Sequence, residues 1–219
     1  MRKVFQAELH QVGEQLVEIS RLVTEAIEKA NTAFTTADTE LAQDVIASDA
    51  RIDFLQNNLD ERAIEILALQ GPVASDLRVI VGSLRMSASL ERMGDLARHI
   101  AQLARMRYPE LVVPEHLRPT FDEFAEQDIA ISRLLTQLLD TRDLDLARDI
   151  ARHNDRVNEL HAGIFKAIAA PDFSGSPATA VDVALASRYF ERFADHGISV
   201  SRKVTYLVTG EWTVNGDAV

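Results

Sequence analysis

A six-residue pattern occurs twice in this chain, and the repetition constrains the fold more than any other feature. Residues 90–95 read Leu-Glu-Arg-Met-Gly-Asp, and residues 190–195 read Phe-Glu-Arg-Phe-Ala-Asp. The two glutamates lie 100 residues apart in a chain of 219 residues. In a helix, a Glu and an Asp at positions i and i+4 project from the same face, one turn apart. We therefore expect a duplicated helical unit that carries two acidic pairs.

The duplication extends beyond this pattern. Residues 41–45 and 49–55 match residues 146–150 and 154–160 at an offset of 105 residues. The difference between the two offsets falls near the loop that joins the second and third helices of each half, where insertions are tolerated. Two copies with three helices each are the simplest account, since a three-helix bundle of this size can bury its own core. The sequence predicts an all-α fold of two tandem three-helix bundles.

Breaks between the helices follow from capping residues, glycine and proline. Thr or Asp within residues 35–38 can cap a helix, and the Gly-Pro pair at residues 71–72 ends the second helix. Prolines between residues 109 and 119 mark the loosest stretch, so the halves are expected to comprise residues 1–112 and 113–219. Apolar residues recur at spacings of three and four between these breaks. We predict helices over about residues 5–34, from the first break to 69, 73–107, 120–140, 143–169 and 178–209.

Composition and charge exclude several functional classes. The chain has no cysteine, which excludes disulfides, thiolate metal sites and cysteine nucleophiles. Its formal net charge of −11 argues against unaided binding to nucleic acid or to an anionic membrane surface. An acidic surface suits cations, or a partner with a basic patch. No leader segment or membrane-spanning apolar run is recognisable, so we expect a soluble, cytoplasmic protein without direct membrane insertion.

The acidic pairs are candidates for a cation site. Glu91 and Asp95 fall nearly opposite the apolar stripe of their helix, which predicts that they face outward. Asp49 and Asp53 form another i, i+4 pair at the edge of the second helix's apolar stripe, and antiparallel packing could bring the two pairs together. The alternative is that these acids form an ordinary solvated helix face, but the recurrence of acids at matching positions of the two halves argues against it. The candidate metal ligands are Asp49, Asp53, Glu91, Asp95, Glu191 and Asp195.

Four carboxylates on facing turns repel one another unless a cation or basic side chains neutralise them. Oxygen-rich clusters favour Mg²⁺, Mn²⁺ or iron over Zn²⁺. Arg92 and Arg192, which adjoin the two glutamates, could be the neutralising partners instead. His99 and His196 could join a metal site or could be ordinary surface histidines.

No catalytic motif stands out. Di-iron helical bundles need Glu-x-x-His pairs, and no histidine here has a glutamate three residues before it. The chain has neither a Walker phosphate loop nor a G-x-S-x-G nucleophile motif. We expect no enzymatic activity and no organic cofactor.

Three stretches of the chain form a recognisable set. They are Gln-Gly-Pro-Val-Ala-Ser-Asp-Leu-Arg at residues 70–78, the motif at 90–95, and Tyr-Leu-Val-Thr-Gly-Glu at 206–211. Together they resemble the PhoU family of phosphate-transport regulators. The resemblance covers nearly the whole chain and implies a cytoplasmic protein of two three-helix bundles, often a homodimer. It also implies a negative regulator of phosphate-starvation signalling and phosphate uptake. Such a regulator links the phosphate ABC transporter to a sensor histidine kinase when phosphate is plentiful.

The resemblance assigns metal clusters, found in some family members, to the six acids given above. The motif departs from the family pattern, because Leu96 replaces a histidine and His99 replaces an asparagine. In the second half, Asn154 and Asn158 stand where the first half has Asp49 and Asp53, so we expect the first half to hold metal more tightly. In the favoured hypothesis, acidic facets dock onto the transporter or the kinase. The alternative is a metal-storing or metal-sensing helical-bundle protein.

Overall fold

Helices form nearly all of the structure, a computed structural model that describes residues 2–171 and 173–211. No β-strand occurs within these ranges, and no helix among them is both long enough and apolar enough to cross a bilayer. A short 3₁₀ turn, Glu115–Leu117, precedes the fourth helix. The α-helices are α1 (Arg2–Thr36), α2 (Thr39–Gln70), α3 (Ala74–Arg107), α4 (Arg118–Thr141), α5 (Leu144–Ala169) and α6 (Pro177–Thr209).

Local capping chemistry sets the helix ends. The Asp38 carboxylate accepts a 2.9 Å hydrogen bond from the Leu41 N–H at the start of α2. Gly71 closes the same helix in the left-handed conformation, with φ of 53°, which favours glycine. At α6, the Ser176 hydroxyl accepts a 3.1 Å hydrogen bond from the Thr179 N–H. The helices therefore begin and end close to the positions that their flanking residues predict.

Each half of the chain is a three-helix bundle. α1 packs against α2 and α3, and α4 packs against α5 and α6. The halves meet because α1 also packs against α4, and α3 against α6. A central group of α1, α3, α4 and α6 results, with α2 and α5 on its two flanks. The all-α duplication expected from the sequence is confirmed.

A cluster of phenylalanine rings joins the cores of the two halves. Phe34 of α1 lies 5.7 Å from Phe121 of α4 and 5.8 Å from Phe190 of α6, measured between ring centroids. Phe124 stacks on Phe190 at 5.5 Å. All four side chains are almost fully buried, and the pairs adopt the offset and edge geometries that aromatic rings prefer. The two bundles therefore share one hydrophobic core.

The connection between the halves is better packed than its prolines suggest. Val112 and Val113 are buried, and so is Leu117 in the 3₁₀ turn. Proline restricts the backbone conformation of this stretch, but it does not prevent the apolar side chains of the stretch from packing against the core. The exact domain limits, 1–112 and 113–219, stay a prediction.

One buried carboxylate interrupts the core stripe of α4. Asp128 is 0% exposed, and neither of its carboxylate oxygens has a hydrogen-bond partner in the described part of the chain. Burial raises its pKa well above the ordinary range of an aspartic acid. At the 105-residue offset between the repeats, the counterpart of Asp128 is Val23, which is fully buried in α1. The equivalent core position thus holds an aliphatic side chain in the first repeat and a carboxyl group in the second.

Replacing this carboxyl group should stabilise the protein. When the pKa of an acid is raised in the folded state, the protein loses stability as the pH rises above the pKa of that acid in the unfolded chain. We expect Asp128→Val to raise the free energy of unfolding by about 1–3 kcal/mol at pH 7.5, and by less at pH 4.5. Urea unfolding at both pH values measures the difference. Asp140→Val, at an exposed site of the same helix, should change stability by no more than about 0.5 kcal/mol; a pH-independent effect of Asp128→Val would contradict the assignment.

Candidate functional site

The acidic pairs of the first half lie in the groove between α2 and α3, named here the acidic groove and defined by Asp49, Asp53, Glu91 and Asp95. Gly94 allows these helices to approach each other. A Cβ atom at this position would lie 2.9 Å from Ile52 Cδ1, closer than side chains tolerate, and 3.4 Å from an oxygen of Asp49. The missing side chain therefore brings the α2 carboxylates against the backbone of α3.

The four carboxylates of the acidic groove influence one another. Burial raises the pKa of Asp49, which is 8% exposed, and the charges of Asp53 and Asp95 raise it further. Burial likewise raises the pKa of Glu91, and the charges of Asp95, Asp53 and Asp49 raise it further. Like charges affect one another in this way only at close range in a partly desolvated site. The structure thus brings together the four residues that antiparallel packing of the helices suggested.

Arg98 is the counter-ion of this groove. Its Nε lies 2.5 Å from Asp49 Oδ2, an ion pair without an aligned hydrogen bond. Its Nη2 donates a short hydrogen bond to Asp95 Oδ1. Arg92 adds a 2.5 Å bond from Nη1 to Asp95 Oδ2 and lies 3.4 Å from Glu91 Oε2. Although burial alone would raise the pKa of Asp95, the bonds from Arg98 and Arg92 lower it.

The sequence pattern points to Arg92 and Arg192, the arginines next to the two glutamates, and does not single out Arg98. Its signal is an Asp followed three residues later by an Arg, a spacing that places both on one helix face. The matching position in the second half is Ile198. The two copies of the motif therefore neutralise their acids in different ways.

The carboxylates of the acidic groove do not form a ready metal centre. Across residues 2–171 and 173–211, no three Asp, Glu or His side chains converge in a way that could hold an ion. Asp49 and Asp95 are turned toward Arg98 instead. Asp53 has no cationic side chain against it in the described structure. Metal ligation by Asp49, Asp53, Glu91 and Asp95 stays a prediction, and the arrangement of these residues does not fit it.

The second half places its motif differently. Glu191 is only 9% exposed, and Arg188 Nη1 donates to both of its carboxylate oxygens at 2.7 Å. Asp195 is exposed on the same helix. On α5, Asn154 is buried and its Oδ1 has no partner among the described residues. Glu191 and Asp195 are thus separated in environment, one buried and ion-paired, the other open to solvent.

A histidine that no sequence motif singles out lies beside this second motif. His161 Nδ1 is 2.5 Å from the Ser187 hydroxyl. Burial lowers the pKa of His161, while the charges of Glu191 and Asp195 raise it. In the first half, the matching Ser87 donates to Asp60 Oδ1 at 3.1 Å. The serine is the same in both repeats, and only its partner has changed.

The expectation that the motif acids face outward is wrong in part. Glu191, which the same pattern places outside the apolar stripe of its helix, is buried, and Glu91 and Asp95 are half-buried, whereas Asp195 is exposed. A helical wheel drawn against one core cannot show this, because α3 contacts α1, α2 and α6 and so buries most of its circumference. The ring of His99 lies 5.1 Å from that of Tyr189, so it faces α6 and not the acidic groove.

Removing Arg98 should destabilise the fold in a pH-dependent way. Without this cation, the raised pKa of Asp49 rises further and the lowered pKa of Asp95 rises toward its ordinary value. Both changes make the folded state less stable as the pH increases. We expect Arg98→Met to lower the free energy of unfolding by about 1–3 kcal/mol at pH 8, and by less at pH 5. Denaturant unfolding at both pH values provides the measurement.

Arg148→Met is the matched control, because it breaks an exposed ion pair with Asp145. It should cost less than about 1 kcal/mol at either pH. If Arg98→Met lost as much stability at pH 5 as at pH 8, the loss would come from packing and not from charge.

Elemental analysis of purified protein tests the metal prediction. If the first half holds metal more tightly, Asp49→Ala/Glu91→Ala should lose the bound ion, and Asp195→Ala should retain it. The reverse pattern would assign any metal to the second half. Equal and negligible metal content in wild type and both variants, after exposure to Mn²⁺, Mg²⁺, iron and Zn²⁺, would refute metal binding by these residues.

Comparisons with known proteins agree with this architecture. The family profile described as the PhoU domain matches residues 16–104 and 121–204, most of both halves. The phosphate-specific transport system accessory protein PhoU homolog 2 of Mycobacterium tuberculosis is 36% identical, over 96% of this chain and 99% of that protein. The PhoU homolog of Aquifex aeolicus is 31% identical, over 93% and 92%.

Two crystal structures share the fold. PhoU from Pseudomonas aeruginosa superposes with a TM-score of 0.85 at 28% identity, covering 94% of this chain and 100% of that chain. The phosphate transport system regulatory protein PhoU from Streptococcus pneumoniae gives a TM-score of 0.84 at 24% identity, over 96% and 99%. With the matches of sequence, helix order and duplication together, this chain belongs to the PhoU family.

Proposed function

We propose that the protein is a cytoplasmic negative regulator of phosphate-starvation signalling and phosphate uptake. In this role it couples the cytoplasmic components of a phosphate ABC transporter to a sensor histidine kinase. Membership of the PhoU family supports the proposal, as do relatives named as accessory proteins of phosphate-specific transport systems. The protein would act by binding its partners, without chemistry of its own.

The observation that carries the proposal is the unbalanced negative charge of the acidic groove. Arg98 and Arg92 neutralise Asp95, but burial and neighbouring charges keep the pKa values of Asp49 and Glu91 raised. Asp53 has no cationic side chain against it in the described structure. A lysine or arginine from a partner protein would supply the missing charge. Partly desolvated pairs of this kind contribute more to binding than exposed pairs do.

The alternative function, storage or sensing of a metal ion, requires carboxylates that converge on one point. The ion pairs to Arg98 hold Asp49 and Asp95 in a different arrangement. We therefore rank metal handling second. The homodimer that the family resemblance implies stays a proposal, which sedimentation equilibrium of the purified protein can test.

The test uses a deletion strain grown in high phosphate and complemented with variants. We expect deletion to switch on phosphate-starvation genes, and wild type to restore repression. Asp53→Ala/Glu91→Ala should fail to restore it, because both residues contribute charge without being held by Arg98. The same variant should bind transporter or kinase components on the order of tenfold more weakly, equivalent to about 1.4 kcal/mol.

Glu61→Ala/Glu65→Ala is the matched control, since it removes two exposed carboxylates from α2, the helix of Asp53, outside the groove. It should repress like wild type. Circular dichroism must show that both variants are folded. If deletion leaves starvation genes silent in a strain without a second family member, the regulatory function is refuted. If both double variants fail equally, net charge matters and the groove does not.

A further inference from the structure

A stripe of apolar residues on α3 faces solvent. Val73, Leu77 and Val81 follow one another at i, i+4 spacing and are 73%, 40% and 39% exposed. Val208, near the end of α6, is 47% exposed. Single exposed apolar residues are ordinary, but a contiguous group is typical of a binding surface.

Of these residues, Leu77 and Val81 line a groove between α3 and the carboxyl-terminal part of α6. We call it the α3/α6 groove and define it by Leu77, Arg78, Val81, Arg85, Lys203 and Tyr206. At Gly82 the two helices come close, because a Cβ atom there would lie 3.1 Å from Leu207 Cδ2. The floor of the groove is therefore apolar and formed by close helix packing.

Three cationic side chains line this groove. Arg78 lies over the ring of Tyr206, with its guanidinium carbon 5.8 Å from the ring centroid. Lys203 Nζ donates to the Ser199 carbonyl at 3.1 Å and to its hydroxyl at 2.7 Å. In the described part of the chain, none of the three cations is ion-paired with a carboxylate. This basic surface occurs on a chain whose formal net charge is −11, and it complements an acidic ligand.

The repulsion within the groove is visible in Lys203. Burial lowers its pKa, and the charge of Arg85 lowers it further. An anionic group placed between the two side chains would relieve this repulsion and restore the charged form of the lysine.

The opposite end of the same helix pair has the apolar residues without the cations. Val181 matches Val81 at the 100-residue offset and is 57% exposed. Leu185 and Leu103 stand where the first copy has Arg85 and the second has Lys203. The charged side chains at that end, Arg107 and Asp182, pair with each other, so the cluster of three cations without a carboxylate partner among the described residues sets this groove apart from its counterpart.

We propose that the α3/α6 groove binds a short, acidic, amphipathic helix of a partner protein. Its apolar face would pack on Leu77 and Val81, and its Asp or Glu side chains would pair with Arg85 and Lys203. A groove between two helices suits a helical ligand. The stretch from Leu77 to Arg85 is about 12 Å long, which matches two turns of such a ligand. An anionic membrane is disfavoured by the overall negative charge.

This surface is separate from the acidic groove and has the opposite charge. Each groove would therefore select a different partner segment, and one protein molecule could hold two partners at once. The inference goes beyond the proposed regulatory function and does not depend on it, because it rests on α3 and α6 residues outside the motif.

The probe is a fluorescent peptide of about 14 residues, enough for four helical turns. It carries Leu at i, i+3, i+4 and i+7 spacing and Glu on the flanking positions. Fluorescence anisotropy measures its affinity for the full-length protein. We expect binding to weaken at least about tenfold in Val81→Glu and in Arg85→Glu/Lys203→Glu.

The duplication offers matched controls. Val181→Glu makes the same change at the equivalent exposed position, and Arg202→Glu reverses an exposed charge on α6 outside the groove. Both should bind the peptide within about twofold of wild type. Asp53→Ala/Glu91→Ala should also bind it normally, so failure of the regulatory proposal and failure of this inference give different results.

Four results would overturn the inference. A peptide of the same composition in scrambled order could bind equally well, which would leave only charge attraction. Phosphatidylglycerol vesicles could bind with the same sensitivity to Val81→Glu, which would make lipid the ligand. Self-association could be abolished by Val81→Glu, which would make a second copy the occupant. Absence of peptide binding by folded wild-type protein would refute the site directly.

Discussion

The antiparallel packing of α3 on α6 determines where every other feature lies. At one end, Leu207 packs over Gly82, where a side chain would leave only 3.1 Å. At the other end, Arg107 Nε lies 2.6 Å from Asp182 Oδ2. These two contacts involve equivalent positions, because Gly82 corresponds to Asp182 and Leu207 to Arg107 at the 100-residue offset. The same pair of positions therefore joins the helices by close packing at one end and by an ion pair at the other. Both motifs consequently lie near the middle of the crossing, and the flanking helix α2 forms the outer wall of the acidic groove.

The sequence predicts those features that depend on neighbours along the chain. The start of α2 at Asp38 and its end at Gly71 follow from local hydrogen bonds and backbone conformation, and the apolar stripes follow from the helical period. Contacts between helices are harder to predict, because a side chain's surroundings depend on how each helix is rotated against three others. The pairing of Arg98 with Asp49 and the burial of Glu191 are of this kind. The carboxylates could thus be predicted to meet, while their counter-ions could not.

The repeats have diverged both at contacts between helices and at residues away from those contacts. Asp182 and Arg107 stand where the other copy has Gly82 and Leu207. The counterpart of Arg98 is Ile198, and the counterpart of Arg85 is Leu185. A structure that is symmetric in its backbone has become asymmetric in its charge. In the proposed regulatory function, such asymmetry would let the two surfaces bind different partners, because two equivalent surfaces would compete for the same one.

The phenylalanine cluster has a consequence for how such a chain can arise. Phe34 packs on Phe121 and Phe190 across the two halves, so neither bundle covers its own apolar face. A half-length ancestor would have exposed that face and would have folded only by pairing with an identical copy, at a rate and stability set by its concentration. Joining two copies in one gene makes that assembly intramolecular. Each half then becomes free to mutate without the same change appearing in its partner.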